Sequence, residues 1–264
     1  MTLRFTILGC GSSAGVPRVG GDWGACDPAN PKNRRMRCSL LAERSGEDGK
    51  TTVLVDTGPD MREQLLTADV NWVDAVLYTH EHADHTHGID DLRSLVMTHR
   101  KRVDVYMDET SFDLITEKFS YCFKTPEGSL YPPILQSHKL NCGEDVILKG
   151  QGGDISAVPF LVHHGPIDAL GFRFGDLAYS PDLNDIPDET LPLLENLDVW
   201  IIDCLRRTPH KTHLVLDETL SWIERMKPRH AILTNMHVDL DYEELVRELP
   251  DGVEPAFDGM TIEM

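Results

Sequence analysis

The sequence lacks the features of secreted and membrane proteins. Its six cysteines are scattered and form no Cys-x-x-Cys pair, so a disulfide framework is not expected and the thiols should be reduced. The N-terminal segment, MTLRFTILGCGSS, is too short and too polar for a signal sequence or a membrane span. We therefore expect a cytoplasmic protein that has no membrane partner.

Positive charge is also scarce. Lysine and arginine together number 25, against 44 aspartates and glutamates, which gives a net charge of -19. This balance disfavours non-specific binding to nucleic acid, so we expect no stable nucleic-acid partner. An anionic substrate would need a local basic patch or a metal ion. The sequence allows a homodimer.

Long linkers and short repeats are absent as well, and patterns typical of strands and helices mix along the chain. We therefore predict an α/β or α+β fold with covered sheets, in one domain over residues 1–264. The predicted strands are 2–8, 39–44, 52–56, 74–79, 103–107, 145–148, 155–162, 170–174, 177–180, 199–203 and 230–234. The predicted helices are 59–68, 88–99, 109–123, 189–195 and 216–226. Residues 9–37 follow neither period and are expected to form a long functional loop.

The segment THEHADHTHG is a dense group of potential metal ligands directly after a predicted strand. It contains four candidates within six residues, His80, His82, Asp84 and His85. Imidazole nitrogens and carboxylate oxygens suit zinc, manganese or iron. Because residues 80 and 82 can face one ion while residues 84 and 85 face another, the spacing favours a two-metal site. The alternative is a loop of solvated histidines, which is how we interpret His87.

This segment resembles a motif of the metallo-β-lactamase superfamily. The family pattern H-x-H-x-D-H stands here as His80-Glu81-His82-Ala83-Asp84-His85. The family's other motifs follow in order as Asp56-Thr57-Gly58, His164-Gly165 and Asp182 in AYSPDL. The segments GCGSS, HGPIDALGFRFGDLAYSPD and PHKTHL are most similar to the branch of phosphoribosyl cyclic phosphate phosphodiesterase and ribonuclease Z-like proteins. The resemblance implies a four-layer αββα sandwich with metals at one edge of its two sheets.

The resemblance also implies a role for each ligand. It assigns the first ion to His80, His82 and His164, the second to Asp84 and His85, and a bridging position to Asp182. Asp56 would hold the histidine loop from behind. Either His163 or His164 could be the ligand from the residues alone, and the resemblance favours His164, which leaves His163 a supporting or surface role.

The sequence departs from the branch at one ligand position. The branch usually has a histidine in an L-T-H segment, where this chain reads Leu233-Thr234-Asn235-Met236-His237. A neutral amide is a poor ligand for a borderline-soft ion. We therefore expect two divalent ions, zinc or manganese, of which the second binds weakly at Asn235 or is held by His237, which an extended chain would place on the same side.

The expected reaction is hydrolysis by a hydroxide that two metal ions generate from a shared water. A leaving alkoxide needs a proton, and His213 in PHKTHL matches the branch's general acid or phosphate contact, with His210 as the second choice. Either histidine could instead simply precede the following helix. We count His213, His210 and the metal ligand Asp84 as candidate catalytic residues.

Two basic clusters bear on the substrate. Arg34, Arg35 and Arg37 lie close together, and Arg206-Arg207 lie near His210. Guanidinium groups bind phosphate oxygens bidentately, although such residues also form ordinary surface salt bridges. We predict a metal-dependent phosphodiesterase for a small, phosphate-bearing, nucleotide-like or cyclic substrate. The alternatives are a thioester or lactone hydrolase and a catalytically silent nucleotide-binding protein, which Asn235 favours; RNA processing is ranked lower because no extended basic surface is evident.

Overall fold

The computed structural model describes residues 2–264, in which two mixed sheets of seven strands each pack face to face. Strands are numbered in chain order. Across the first sheet they are β14 (Met260–Glu263), β1 (Leu3–Gly9), β2 (Ser39–Gly46), β3 (Gly49–Val55), β4 (Ala75–Leu77), β5 (Val103–Met107) and β6 (Leu135–Lys139). Across the second they are β13 (Val253–Pro255), β12 (His230–Thr234), β11 (Val199–Asp203), β10 (Leu177–Ser180), β9 (Ile167–Phe174), β8 (Ile155–His164) and β7 (Val146–Leu148).

Helices cover the outer face of each sheet. They are α1 (Met61–Thr67), α2 (Ala83–Thr86), α3 (Leu92–His99), α4 (Glu109–Lys118), α5 (Ser120–Phe123), α6 (Leu216–Met226) and α7 (Tyr242–Glu248). Buried side chains of α1, α3 and α4 pack on the first sheet, and those of α6 and α7 pack into the core that contains the second. The four layers are therefore αββα, which confirms the predicted architecture. Among residues 2–264, no helix is long and apolar enough to cross a membrane.

The alternation of side chains along the strands creates two apolar cores. In β2, Leu40 and Ala42 face the core between the sheets, whereas Leu41 faces the core beneath the helices. β3 repeats the arrangement, with Val53 and Val55 in the first of these cores. Full burial of each large apolar side chain contributes roughly 1.5–3 kcal/mol, so this two-sided pattern fixes which face of the sheet each layer covers.

Several predicted elements differ from those observed. The predicted helix 109–123 is interrupted at Phe119, which separates α4 from α5. The segment predicted as a helix over 189–195 forms a 3-10 helix, Asp188–Leu194, which contains Pro192. Five of the labelled helices and strands were not predicted: α2, β6, α7, β13 and β14. Three of them are short strands at or next to sheet edges, where few buried positions leave no apolar pattern to recognise.

Parallel pairing brings the functional residues to one edge. β3 and β4 are parallel neighbours, as are β10, β11 and β12. The carboxyl ends of parallel strands meet at a common edge, and the residues that follow or end them are therefore gathered there. On the first sheet these include Asp56 and the histidine loop; on the second they include Asp182, Asp203 and Asn235.

Candidate metal centre

The structure brings the predicted metal ligands together at this edge. Three groups of side chains each place their potential ligand atoms within 4.8 Å of one another: His80, His82 and His164; His80, His85 and Asp182; and His164, Asp182 and His213. His80 Nε2 and His82 Nδ1 are 3.0 Å apart. Imidazole nitrogens with a shared carboxylate fit zinc or manganese, so the residues present are suited to a divalent ion.

Asp182 lies between two sets of donors. Its Oδ2 is 3.9 Å from His80 Nε2 and 3.9 Å from His164 Nε2. Its Oδ1 is 3.3 Å from His85 Nε2, which in turn is 3.6 Å from Asp84 Oδ2. Burial would raise the pKa of Asp182, but His85 and the neighbouring imidazoles hold it well below its usual range. The carboxylate is therefore ionised and faces both sets.

Hydrogen bonds orient the imidazoles so that their Nε2 atoms are available as ligands. Asp56, which is fully buried, accepts hydrogen bonds from His85 Nδ1 at 2.7 Å and from the Thr79 amide at 2.8 Å. His164 Nδ1 donates to the Thr212 carbonyl at 2.7 Å. A hydrogen bond at one ring nitrogen fixes the tautomer that leaves the other nitrogen free to bind metal. Asp56 thus contacts the histidine loop from the buried side, through His85 and Thr79.

Burial also favours the neutral form of two of these histidines. The pKa of His80, which is completely buried, is lowered well below its usual value by desolvation and by the adjacent His85. Desolvation likewise lowers the pKa of His164. A histidine must be neutral to donate a lone pair to a metal ion, so both side chains are held in the state that binding requires.

Asp203 is a site residue that the sequence analysis missed. Its buried Oδ2 accepts a hydrogen bond from His213 Nδ1 at 3.0 Å and another from the Leu183 amide at 3.1 Å. His213 Nε2 consequently points toward the centre and lies 4.0 Å from Asp182 Oδ2. A sequence pattern could have identified Asp203: it is an aspartate at the end of an apolar strand, just as Asp56 is an aspartate directly after one.

Asp203 and His213 form an ion pair over a wide pH range. Burial raises the pKa of Asp203 to about 6, even though His213 opposes the shift. Burial would lower the pKa of His213, but the Asp203 carboxylate outweighs it and raises the pKa to about 9. Between these values the pair is a carboxylate and an imidazolium, so His213 carries a proton that its Nε2 presents to the centre.

The remaining candidate histidines lie farther out. Within the part of the chain that the structure describes, none of the three donor groups includes His210 or His237. His210 is exposed, with its ring centroid 5.2 Å from that of His213.

His237 Nδ1 is 3.0 Å from Asp239 Oδ1. The extended chain that would have placed His237 beside Asn235 does not form, because the backbone turns at Asn235 with a φ of 60°. His163 is a surface residue paired with Asp168 at 2.9 Å.

The three candidate arginines have different surroundings. Arg35 does not face a substrate, because it is 2% exposed and its guanidinium donates to the carbonyls of Leu240 at 2.7 Å and His237 at 3.3 Å. It instead anchors the 9–37 loop to the C-terminal part of the chain. Arg34 is exposed and lies over the ring of Trp23, with 5.5 Å from Cζ to the ring centroid.

Arg37 lies beside the histidine loop. Its Nε is 3.0 Å from Asp60 Oδ2. A Cβ added at Gly58 would lie 3.8 Å from the Arg37 Cβ and 2.3 Å from the Asp84 carbonyl oxygen. Gly58 therefore packs against both Arg37 and Asp84, and these two residues lie close together on either side of it. All three arginines line a common cleft of ≈ 560 Å³, and Arg37 is the one whose Cβ lies next to Gly58. Of the three arginines, Arg37 is therefore the one best placed to reach a substrate.

The anchoring role of Arg35 gives a testable prediction. Arg35→Ala should lower the free energy of unfolding by about 3 kcal/mol, because it leaves buried carbonyls without their donors. Arg34→Ala removes the same charge from an exposed position and should change stability by less than about 1 kcal/mol. Urea unfolding followed by circular dichroism measures both, and equal losses in the two variants would contradict the anchoring role.

Comparison with known proteins finds similarity along the whole chain. The family model described as the Beta-lactamase superfamily domain matches residues 51–236. The crystal structure of a new diphosphatase from the PhnP family is 37% identical to this chain, with a TM-score of 0.88 and coverage of 100% of this chain and 98% of that one. The similarity therefore includes the 9–37 loop as well as the matched domain.

Two curated proteins are also similar. An octanoyltransferase from Porphyromonas gingivalis is 32% identical over 98% of this chain, and the chain spans only 51% of its length. The exodeoxyribonuclease WalJ from Streptococcus pneumoniae is 26% identical over 74% of this chain and 69% of its own length. The names of the two relatives refer to different chemistry, one to transfer of an acyl group and the other to cleavage of DNA.

Proposed function

The chain belongs to the metallo-β-lactamase superfamily, in the branch of the PhnP-family and ribonuclease Z-like proteins, and on this basis we propose that it is a metal-dependent phosphodiesterase that hydrolyses a small nucleotide-like or cyclic phosphate ester. The observation that carries the proposal is the position of His213, which is held by Asp203 and lies within 4.8 Å of the potential ligand atoms of His164 and Asp182. The similarity to a diphosphatase over the full chain supports phosphorus as the centre of attack.

We assign the candidate ligands to two metal positions, one on each side of the Asp182 carboxylate. His80, His82 and His164 would hold one divalent ion, zinc or manganese, with Asp182 Oδ2, and Asp84 and His85 would contribute to a second with Asp182 Oδ1. A divalent ion at such a position stabilises the charge that develops on the ester and lowers the pKa of water. The chain's own contribution is to favour the neutral form of His80 and His164 through burial, and to orient His85 and His164 through hydrogen bonds to Asp56 and Thr212.

Proton transfer to the leaving group is the task that the geometry gives to His213. Its Nδ1 proton is committed to Asp203, so the Nε2 proton is the one that can be donated toward the centre. A positioned acid of this kind contributes about 10²–10⁴-fold to turnover. Arg37, which lies near Gly58 beside the histidine loop, would hold a phosphate oxygen, since guanidinium groups form strong hydrogen bonds to phosphate.

The Arg37 assignment predicts a change in substrate binding. Arg37→Ala should raise the KM for phosphodiesters about tenfold, because a hydrogen bond to a charged group contributes roughly 1.5–3 kcal/mol, and should change kcat less. The measurement is steady-state hydrolysis of bis-p-nitrophenyl phosphate and a panel of cyclic nucleotides, with added manganese or zinc. Arg225→Ala, on the exposed face of α6, is the control. A panel that stays intact with either metal would overturn the proposed function.

Acyl ester or thioester hydrolysis is the second candidate function. The observation in its favour is the octanoyltransferase, which is 32% identical over nearly the whole of this chain. Metal-assisted hydrolysis does not by itself distinguish carbon from phosphorus, so the same centre could serve either substrate. Turnover of octanoyl thioesters that exceeds phosphodiester turnover and is unchanged by Arg37→Ala would favour this function. Binding of a nucleotide without any turnover would instead identify a silent binding protein.

A further inference from the structure

Asn235 occupies a central position among the acidic residues of the centre. It follows β12, is 2% exposed and has a left-handed backbone. Its side-chain nitrogen Nδ2 is 3.1 Å from Asp203 Oδ1 and 3.4 Å from Asp182 Oδ1. The same atom is 3.1 Å from His213 Nδ1. The amide therefore links the carboxylate between the two metal positions to the carboxylate that holds His213.

The orientation of this amide follows from the charges around it. An asparagine amide has two N–H donors on its nitrogen and lone pairs on its oxygen. If the amide were rotated by 180°, its oxygen would face two ionised carboxylates, which would be unfavourable. The NH₂ group must accordingly face Asp182 and Asp203. It presents donors, and no lone pair, at the place where a second cation would lie against Asp182.

This arrangement makes the two metal positions unequal. On the Oδ2 side of Asp182, three imidazoles converge, all within reach of one ion. On the Oδ1 side, His85 and Asp84 are the protein donors, and the Asn235 amide donates a hydrogen bond to the same oxygen. An ion there would have to compete with that hydrogen bond and would gain no ligand from the residue next to it.

We propose that Asn235 makes the centre asymmetric, so that the chain holds one divalent ion tightly and exchanges the second readily. This inference shares one assumption with the proposed function, namely that metal ions bind at this edge of the sheets. The Asn235 amide supplies, as a hydrogen-bond donor, part of the neutralisation of Asp182 and Asp203 that a tightly bound second cation would otherwise give. Substitution by histidine replaces this donor with a ligand for the second position.

The test is the stoichiometry and affinity of Mn²⁺ binding to chelator-treated protein. Electron paramagnetic resonance measures free Mn²⁺ during the titration, and metal analysis after desalting measures retained ions. The wild-type chain should retain one equivalent, whereas Asn235→His should retain two, with at least about a tenfold gain in affinity for the second ion and a new spectrum of an exchange-coupled manganese pair. Asn196→His is the matched control, because Asn196 is exposed and has a similar left-handed φ of 56°.

Several outcomes separate this inference from the proposed function. Two equally tight ions in the wild-type chain, or a folded Asn235→His variant that retains only one, would overturn it. If Asn235→His fails to fold, Asn235→Asp provides a carboxylate ligand at the same place, and the wild-type titration by itself still decides the stoichiometry. Because no substrate is used, absence of phosphodiester turnover would overturn the proposed function alone and leave an asymmetric centre intact.

Discussion

Replacing Asp182 by alanine should remove tightly bound metal from the protein and lower hydrolytic turnover by at least about 10³-fold. Asp182 is the residue whose two oxygens face both donor sets, so its loss weakens both metal positions at once. Lewis-acid stabilisation by a metal ion is worth several kcal/mol, and about 4 kcal/mol corresponds to a thousandfold change in rate. Metal analysis after desalting and steady-state kinetics measure the two effects independently.

The control for this variant is Asp185→Ala. Asp185 is an exposed carboxylate three residues farther along the chain, and its Oδ1 accepts a hydrogen bond from the neighbouring Ile186 amide. Its removal changes the net charge of the protein by the same amount without touching the donor groups, so metal content and turnover should stay near wild type. Wild-type metal content in Asp182→Ala would show that the ions, if any, bind elsewhere.

His213→Ala should lower kcat by about 10²–10⁴-fold for substrates that release an alkoxide. The same variant should affect p-nitrophenyl esters far less, because p-nitrophenolate leaves without needing a proton. This dependence on the leaving group separates loss of a proton donor from loss of metal, which would slow both substrates. His210→Ala, which changes an exposed imidazole near His213, should reduce turnover by less than about threefold, within the usual range for surface changes.

Asp203→Asn tests how the proton is held. In the metal-free protein, His213 should lose its proton near pH 9, since the Asp203 carboxylate raises its pKa to about 9. With asparagine at position 203 this cause is removed, while burial still lowers the pKa and Asp182 still raises it, so the pKa of His213 should fall clearly below its wild-type value. Nuclear magnetic resonance of the histidine ring protons follows the titration. An unchanged pKa would mean that Asp203 has no positioning role.

The candidate metal ligands that the structure brings together could be identified from sequence because the local motif carries most of the information. Four candidates lie within six residues after a strand, and the order of the remaining motifs placed Asp56, His164 and Asp182. The αββα layers followed from the family resemblance, whereas the alternating apolar residues by themselves predicted only an α/β or α+β fold with covered sheets. Both depend on neighbours in sequence or on a motif order that the whole family shares.

Contacts between distant segments were not predictable in this way. Arg35 belongs to a basic run, yet its buried partners Leu240 and His237 lie about two hundred residues away. Asp203 acquires its role only when β11 is placed between β10 and β12. The expectation for His237 failed because one left-handed residue, Asn235, redirects the chain. In each case the residue's position depends on the assembled tertiary structure, and the nearby sequence contains no pattern that would reveal its contacts.

The gathering of ligands from several strands also affects how the protein folds. The residues that would hold metal lie in the segment after β4, at the end of β8 and just after β10, so they are far apart in sequence. The complete centre therefore exists only after the two sheets have docked, and a partly folded chain offers an ion only the ligands of the histidine loop. Metal present at 100 times its dissociation constant would then add about 2.7 kcal/mol to the stability of the native state. The ion would bind late in folding and stabilise only the fully assembled native state. Metal starvation in a cell would therefore lower the abundance of the protein as well as its activity.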